Sequence, residues 1–122
     1  MKILVIDDDG VMRRISRLAL GRVGGMEVVE ASSGAEGIAR AVADAPDAIL
    51  LDVMMPEQDG TETLGLLKAD PRTAHIPVIF LTAKAKPAEV DRLRGLGAKG
   101  VLAKPFDPMT LAANVRTILG AG

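Results

Sequence analysis

Four apolar stretches in this chain each end on a side chain suited to chemistry on a charged oxygen ligand. Ile3–Ile6 runs into Asp7, Asp8 and Asp9, and Ala48–Leu51 runs into Asp52. Val78–Leu81 runs into Thr82, and Gly100–Ala103 runs into Lys104 and Pro105. Carboxylates are ligands of hard divalent cations, and a carboxylate can also attack phosphorus to give an aspartyl phosphate. A hydroxyl and an ammonium can hold the oxygens of a transferred phosphoryl group. Brought together, these residues describe a divalent-metal and phosphoryl site. Without a partner they would weaken the fold, since two carboxylates about 4 Å apart repel by roughly 4 kcal/mol at an effective dielectric of 20.

The elements that must position them follow from periodicity. Short apolar runs predict strands at Lys2–Ile6, Glu27–Glu30, Ala48–Leu51, Val78–Leu81 and Gly100–Leu102. Between them lie segments of helical period. Val11–Val23 sets apolar residues against Arg13, Arg14 and Arg17, and Ser33 can cap a helix over Gly34–Asp44. Gly60–Ala69 stops at Asp70-Pro71, and Pro87–Leu96 has proline suited to its first turn and Gly97 to its end. Asp107, with Pro108 at the first helical position, opens a last helix through Leu119. Five alternating strand–helix units predict an α/β fold, a doubly wound five-stranded parallel sheet with helices on both faces in three layers. Residues 1–122 are read as one domain.

Ligands of such a sheet bind outside the carboxyl ends of its strands. If one cation is to bridge Asp52 and the acids of the first strand, the first and third strands must be neighbours, about 4.8 Å apart. Thr82 then belongs on the next strand and Lys104 on the one beyond. The expected order is 2-1-3-4-5, with its switch point beside the acidic cluster. Mg²⁺ keeps several waters and takes one or two carboxylates with phosphate oxygens. Asp8 and Asp52 are therefore expected to hold it, with Asp7 acting through water. Asp52, alone on its strand end, is the expected nucleophile, and Thr82 and Lys104 the expected phosphoryl contacts.

Composition removes other classes. A net charge of -1 argues against nucleic-acid or membrane binding through bulk electrostatics. The absence of cysteine rules out disulfides, thiolate metal sites and a cysteine nucleophile. No apolar stretch approaches a membrane span, and the apolar start is too short for a secretory signal, so a cytoplasmic location is expected. The core must be filled by aliphatic and alanine side chains, because Phe80 and Phe106 are the only aromatics.

The set Asp7-Asp8, Asp52, Thr82-Ala83 and Lys104-Pro105-Phe106, with Met55-Pro56 and Asp59-Gly60 after the acceptor, resembles the receiver domain of two-component response regulators. The resemblance covers essentially the whole chain and implies a CheY-like, flavodoxin-like (βα)5 fold. It implies phosphorylation of Asp52 by a sensor histidine kinase or phosphotransfer protein, with a downstream effector protein as output partner. It also implies Mg²⁺ bound by Asp7, Asp8, Asp52 and the Met54 backbone carbonyl, movement of Thr82 toward the phosphate, and pairing of Lys104 with it. The Lys104–Pro105 bond is expected to be cis, a geometry largely confined to proline.

Some residues invite simpler or competing readings. Asp9 is read as a helix cap, and His75, the one histidine, is given no role. Asp7-Asp8-Asp9-Gly10-Val11 also resembles the nucleophile motif of haloacid-dehalogenase-type phosphatases, in which Asp7 would be phosphorylated. That alternative leaves Asp52 unexplained and lacks a further acidic pair after Lys104. Against the receiver pattern, Val101 stands three residues before the lysine, where an aromatic is usual. Met54 and Lys84, at the positions that often tune phosphate lifetime, supply no carboxylate or amide to orient a water.

Overall fold

In the computed structural model, which describes residues 1–120, five parallel strands form one sheet. They are β1 (Lys2–Ile6), β2 (Glu27–Ala31), β3 (Ala48–Asp52), β4 (Val78–Thr82) and β5 (Gly100–Ala103). The order is β2-β1-β3-β4-β5, as the chemistry of the strand ends required. Helices α1 (Gly10–Arg17), α2 (Gly34–Asp44), α3 (Gly60–Ala69), α4 (Pro87–Gly95) and α5 (Leu111–Leu119) connect and cover the strands.

Alternation along the strands divides the core in two. Leu4, Ile6, Ile49, Leu51 and Phe80 pack on one face with Ala41 of α2, Leu64 and Leu67 of α3 and Leu93 of α4. Ile3, Val5, Leu50, Ile79 and Leu81 pack on the other with Leu20, Leu111 and Val115. Both faces of the sheet are thus covered, which is why its central strands are continuous apolar runs. The same alternation has a consequence for the strand ends. Asp7, Asp52 and Lys104 are in phase with Val5, Leu50 and Leu102, whereas Thr82 is in phase with Phe80 on the opposite face.

Several boundaries differ from the sequence reading. β2, β3, β4 and β5 each extend one residue further than predicted, so Asp52 and Thr82 are the last residues of their strands rather than the first beyond them. The polar type ended the apolar pattern before the backbone left the sheet. The segment read as one helix over Val11–Val23 is α1 followed by a π-helical turn, Leu18–Val23. There Gly24 lies against Ala112 of α5 so closely that no Cβ fits, and the wider turn accommodates the crossing. α4 stops at Gly95. The last helix begins at Leu111 rather than at Asp107 or Pro108. Asp107 instead organises a preceding turn, accepting from the Met109 amide through its side chain and from the Thr110 and Leu111 amides through its carbonyl.

Local caps fix the loops of the site. Asp9 caps α1 through the Val11 and Met12 amides, and Asp59 caps α3 through the Glu62 amide. Gly60 begins α3 directly against the end of β3. A Cβ there would collide with the Asp52 carbonyl and the Val53 backbone, so α3 can approach the acceptor strand only through glycine. The Lys104–Pro105 peptide is cis, as the resemblance implied.

Candidate functional site

The carboxyl edge of the sheet gathers the predicted residues. Asp7, at the end of β1, and Asp52, at the end of β3, are both buried, while Asp8 is exposed on the loop into α1. Their carboxylate oxygens lie within 4.8 Å of one another. Lys104, following β5, reaches across the edge and sets its ammonium 3.2 Å from Asp7 Oδ2 and 3.2 Å from Asp52 Oδ1. β4 intervenes between Asp52 and Lys104, and the long lysine side chain bridges that gap.

The two buried carboxylates are held differently. Asp7 Oδ1 accepts the Asp9 amide at 2.9 Å and Oδ2 accepts Lys104, so both oxygens are engaged. Asp52 Oδ1 accepts the Met54 amide at 3.3 Å and also faces Lys104. Asp52 Oδ2 has no hydrogen-bond partner among the described residues. Of the two buried carboxylates, it is the one oxygen left uncommitted.

Electrostatics follow from this packing. Burial pushes the Asp52 carboxyl above the usual 3.8, and the Asp7 charge pushes the same way. Lys104 and the Met54 amide pull it back only in part. Burial works against the Lys104 charge, yet the Asp7 and Asp52 carboxylates outweigh it and hold the ammonium above its usual 10.5. At 4.8 Å and an effective dielectric of 20, each carboxylate pair repels by about 3.5 kcal/mol. One ammonium does not neutralise three carboxylates, and the all-oxygen donor set suits a hard divalent cation.

Thr82 ends β4, beside the acceptor strand, and is buried. Its hydroxyl oxygen accepts the Lys84 amide at 3.0 Å. With Val53, Met54 and Lys84, and with Glu89 and Arg92 of α4, it lines a cleft of about 270 Å³ next to the acceptor. Met54 itself is exposed. The structure therefore brings Asp7, Asp8, Asp52 and Lys104 into one cluster and sets Thr82 at its border.

One participant was not foreseen. Arg13, assigned to the solvated face of the first helix, donates from Nη1 to the Asp7 main-chain carbonyl at 2.8 Å. The usable signal was its position one turn beyond the Asp9 cap, where a long side chain folds back over the strand end.

Fold and site together define a phosphoacceptor signalling module. A family model described as the response regulator receiver domain matches residues 3–116. The chain is 36% identical over 121 residues to chemotaxis protein CheY1 of Helicobacter pylori, covering 98% of each. It is 43% identical over 119 residues to the response regulator PleD of Caulobacter vibrioides, covering 96% of this chain and 26% of that protein. Chemotaxis response regulator CheY4 of Vibrio cholerae superposes with a TM-score of 0.88 at 31% identity, over 96% of this chain and 97% of that one. The chain belongs to the receiver-domain family of two-component signalling. It is a phosphoacceptor rather than a turnover enzyme, and the haloacid-dehalogenase alternative is set aside.

The raised Asp52 pKa carries a stability consequence. A carboxyl that binds its proton more tightly in the fold contributes fully below its unfolded value, near pH 3.8, and that contribution is lost as pH rises through the folded value. Without divalent cations at neutral pH, Asp52→Asn should therefore raise Tm, by about 4 °C for each kcal/mol of penalty removed. The gain should shrink as the pH is brought below 3.8. Calorimetry across pH checks this, and a mutant less stable than the parent at neutral pH would show that the Lys104 contact dominates instead.

Proposed function

We propose that Asp52 accepts a phosphoryl group from a phosphohistidine of a sensor kinase or phosphotransfer protein. The observation that carries this is the asymmetry between the buried carboxylates: Asp7 has both oxygens engaged, whereas Asp52 keeps Oδ2 without a partner among the described residues. Oδ2 attacks phosphorus, the bond from phosphorus to the donor nitrogen breaks, and an aspartyl phosphate forms. Asp7, Asp8, Asp52 and the Met54 carbonyl would hold Mg²⁺, which would offset negative charge on the incoming group. Lys104 then exchanges its contact with Asp52 for a phosphoryl oxygen, a charge-assisted bond that distinguishes the phosphorylated form.

Thr82 reaches that group only by giving up the Lys84 amide and turning from the phase of Phe80 toward the acceptor. Phosphorylation shifts the balance of states by the difference in its contacts between them. The output is a change in contacts with an effector protein. Among the described residues no helix is long and apolar enough to cross a membrane, and a cytoplasmic location accords with this reading.

Incubation with acetyl phosphate and Mg²⁺ should add one phosphoryl group by intact mass, and Asp52→Asn should remove the addition. Labelling of that mutant at the parental rate would end the proposal. Lys104→Ala should still be labelled, more slowly.

The readout of the switch should be local. Val101 is half-buried against the core on the Phe80 face and has no ring to fill space behind a displaced Thr82. Its β-branched side chain is also stiff about χ1. Beryllofluoride should therefore shift amide resonances mainly over Thr82–Pro87. Larger shifts at Val101 and along α5 would contradict this.

A further inference from the structure

The exposed Asp8 has no hydrogen bond to its carboxylate among the described residues, yet its backbone is held on both sides. The peptide before it is fixed by Arg13, which donates to the Asp7 carbonyl. The peptide after it is fixed by Asp7 Oδ1, which accepts the Asp9 amide, and the Asp9 carbonyl accepts the Arg13 amide. On the strand side, the Asp7 amide still donates to Ala31 of β2 at 3.1 Å. β1 therefore keeps its amide in the sheet while its last carbonyl turns out to a side chain.

Arg13 is itself clamped. Its Nε lies 3.5 Å from Glu30 Oε1, and Arg17 takes the other oxygen, Oε2, at 2.6 Å. Glu30 sits on β2 in register with Val5, on the strand hydrogen-bonded beside β1. The Arg13 side chain is half-buried, and its planar fork lets one side chain serve the carbonyl and the carboxylate at once. A rigid strand, a clamped arginine and two pinned peptides thus aim a carboxylate that nothing touches directly.

We infer that Arg13 is a positioning residue for the cation site, fixing the direction of Asp8 through the Asp7 carbonyl, with Glu30 as its anchor. The inference rests on the reading of Asp7, Asp8 and Asp52 as Mg²⁺ ligands. Groups behind a metal ligand typically change metal affinity by about 10–100-fold when removed. The sign is diagnostic. Arg13 is a cation beside a cation site, so by charge alone its removal would tighten Mg²⁺ binding. As a positioning residue, its removal weakens it.

The test is a Mg²⁺ titration followed by backbone amide shifts in the parent, Arg13→Met and Arg14→Met. Arg13→Met keeps the apolar stem and should bind Mg²⁺ about tenfold more weakly. Arg14 is exposed on the same turn of α1, and Arg14→Met, with the same loss of charge, should not weaken binding. Without Mg²⁺, the Asp9 amide of Arg13→Met should exchange faster than in the parent. Unchanged or tighter Mg²⁺ binding by Arg13→Met would overturn the inference while leaving the metal site standing. A parent that does not bind Mg²⁺ at all would overturn both. Should Arg13→Met lose its folded spectrum, Arg13→Lys keeps the charge without the fork. A smaller weakening is then expected, and parental affinity would overturn the role.

Discussion

The repulsion among Asp7, Asp8 and Asp52 is the constraint on which the rest of this structure depends. Two of the three are buried, and all three present oxygens within 4.8 Å of one another. No arrangement of apolar residues would gather them, so the fold must hold the cluster against its own electrostatics. It does so with strands buried on both faces, a lysine long enough to span an intervening strand, and peptide dipoles from Met54 and Asp9. The residual negative charge and the all-oxygen donor set suit a hard divalent cation.

That constraint also explains why so much could be read in the residues themselves. The strand order was deducible because Asp52 and Asp7 had to be neighbours, and only β1 beside β3 satisfies that. The strand bodies were legible because residues such as Ile49, Leu50 and Leu51 are buried on both faces and leave an unbroken apolar run. What stayed hidden were features set by contacts distant in sequence. The π-helical turn answers the close approach of Gly24 to Ala112, which no local pattern records. α5 starts late because a turn precedes it, in which the Asp107 carboxylate accepts the Met109 amide and the Asp107 carbonyl accepts the Thr110 and Leu111 amides.

The site shows the same division. Residue types at strand ends named Asp7, Asp8, Asp52, Thr82 and Lys104, because the chemistry restricts which side chains can stand there. Their engagement was not legible. That Asp52 keeps a free oxygen while Asp7 does not depends on where Asp9, Met54 and Lys104 place their donors. Arg13 was easily passed over for a related reason: on a helical wheel it is one more exposed basic residue, and its place one turn beyond the Asp9 cap is what brings it to the Asp7 carbonyl. Thr82 and Val101 are both in phase with Phe80, and Val101 is half-buried against the core on that face.

The division of labour between the two buried carboxylates is open to direct mapping. Borohydride reduces an aspartyl phosphate to homoserine, which marks the acceptor in a peptide digest. After treatment with acetyl phosphate and Mg²⁺, the mark should fall on Asp52, the carboxylate with the uncommitted oxygen. A mark on Asp7 would contradict the assignment of acceptor and cation ligand to their present places.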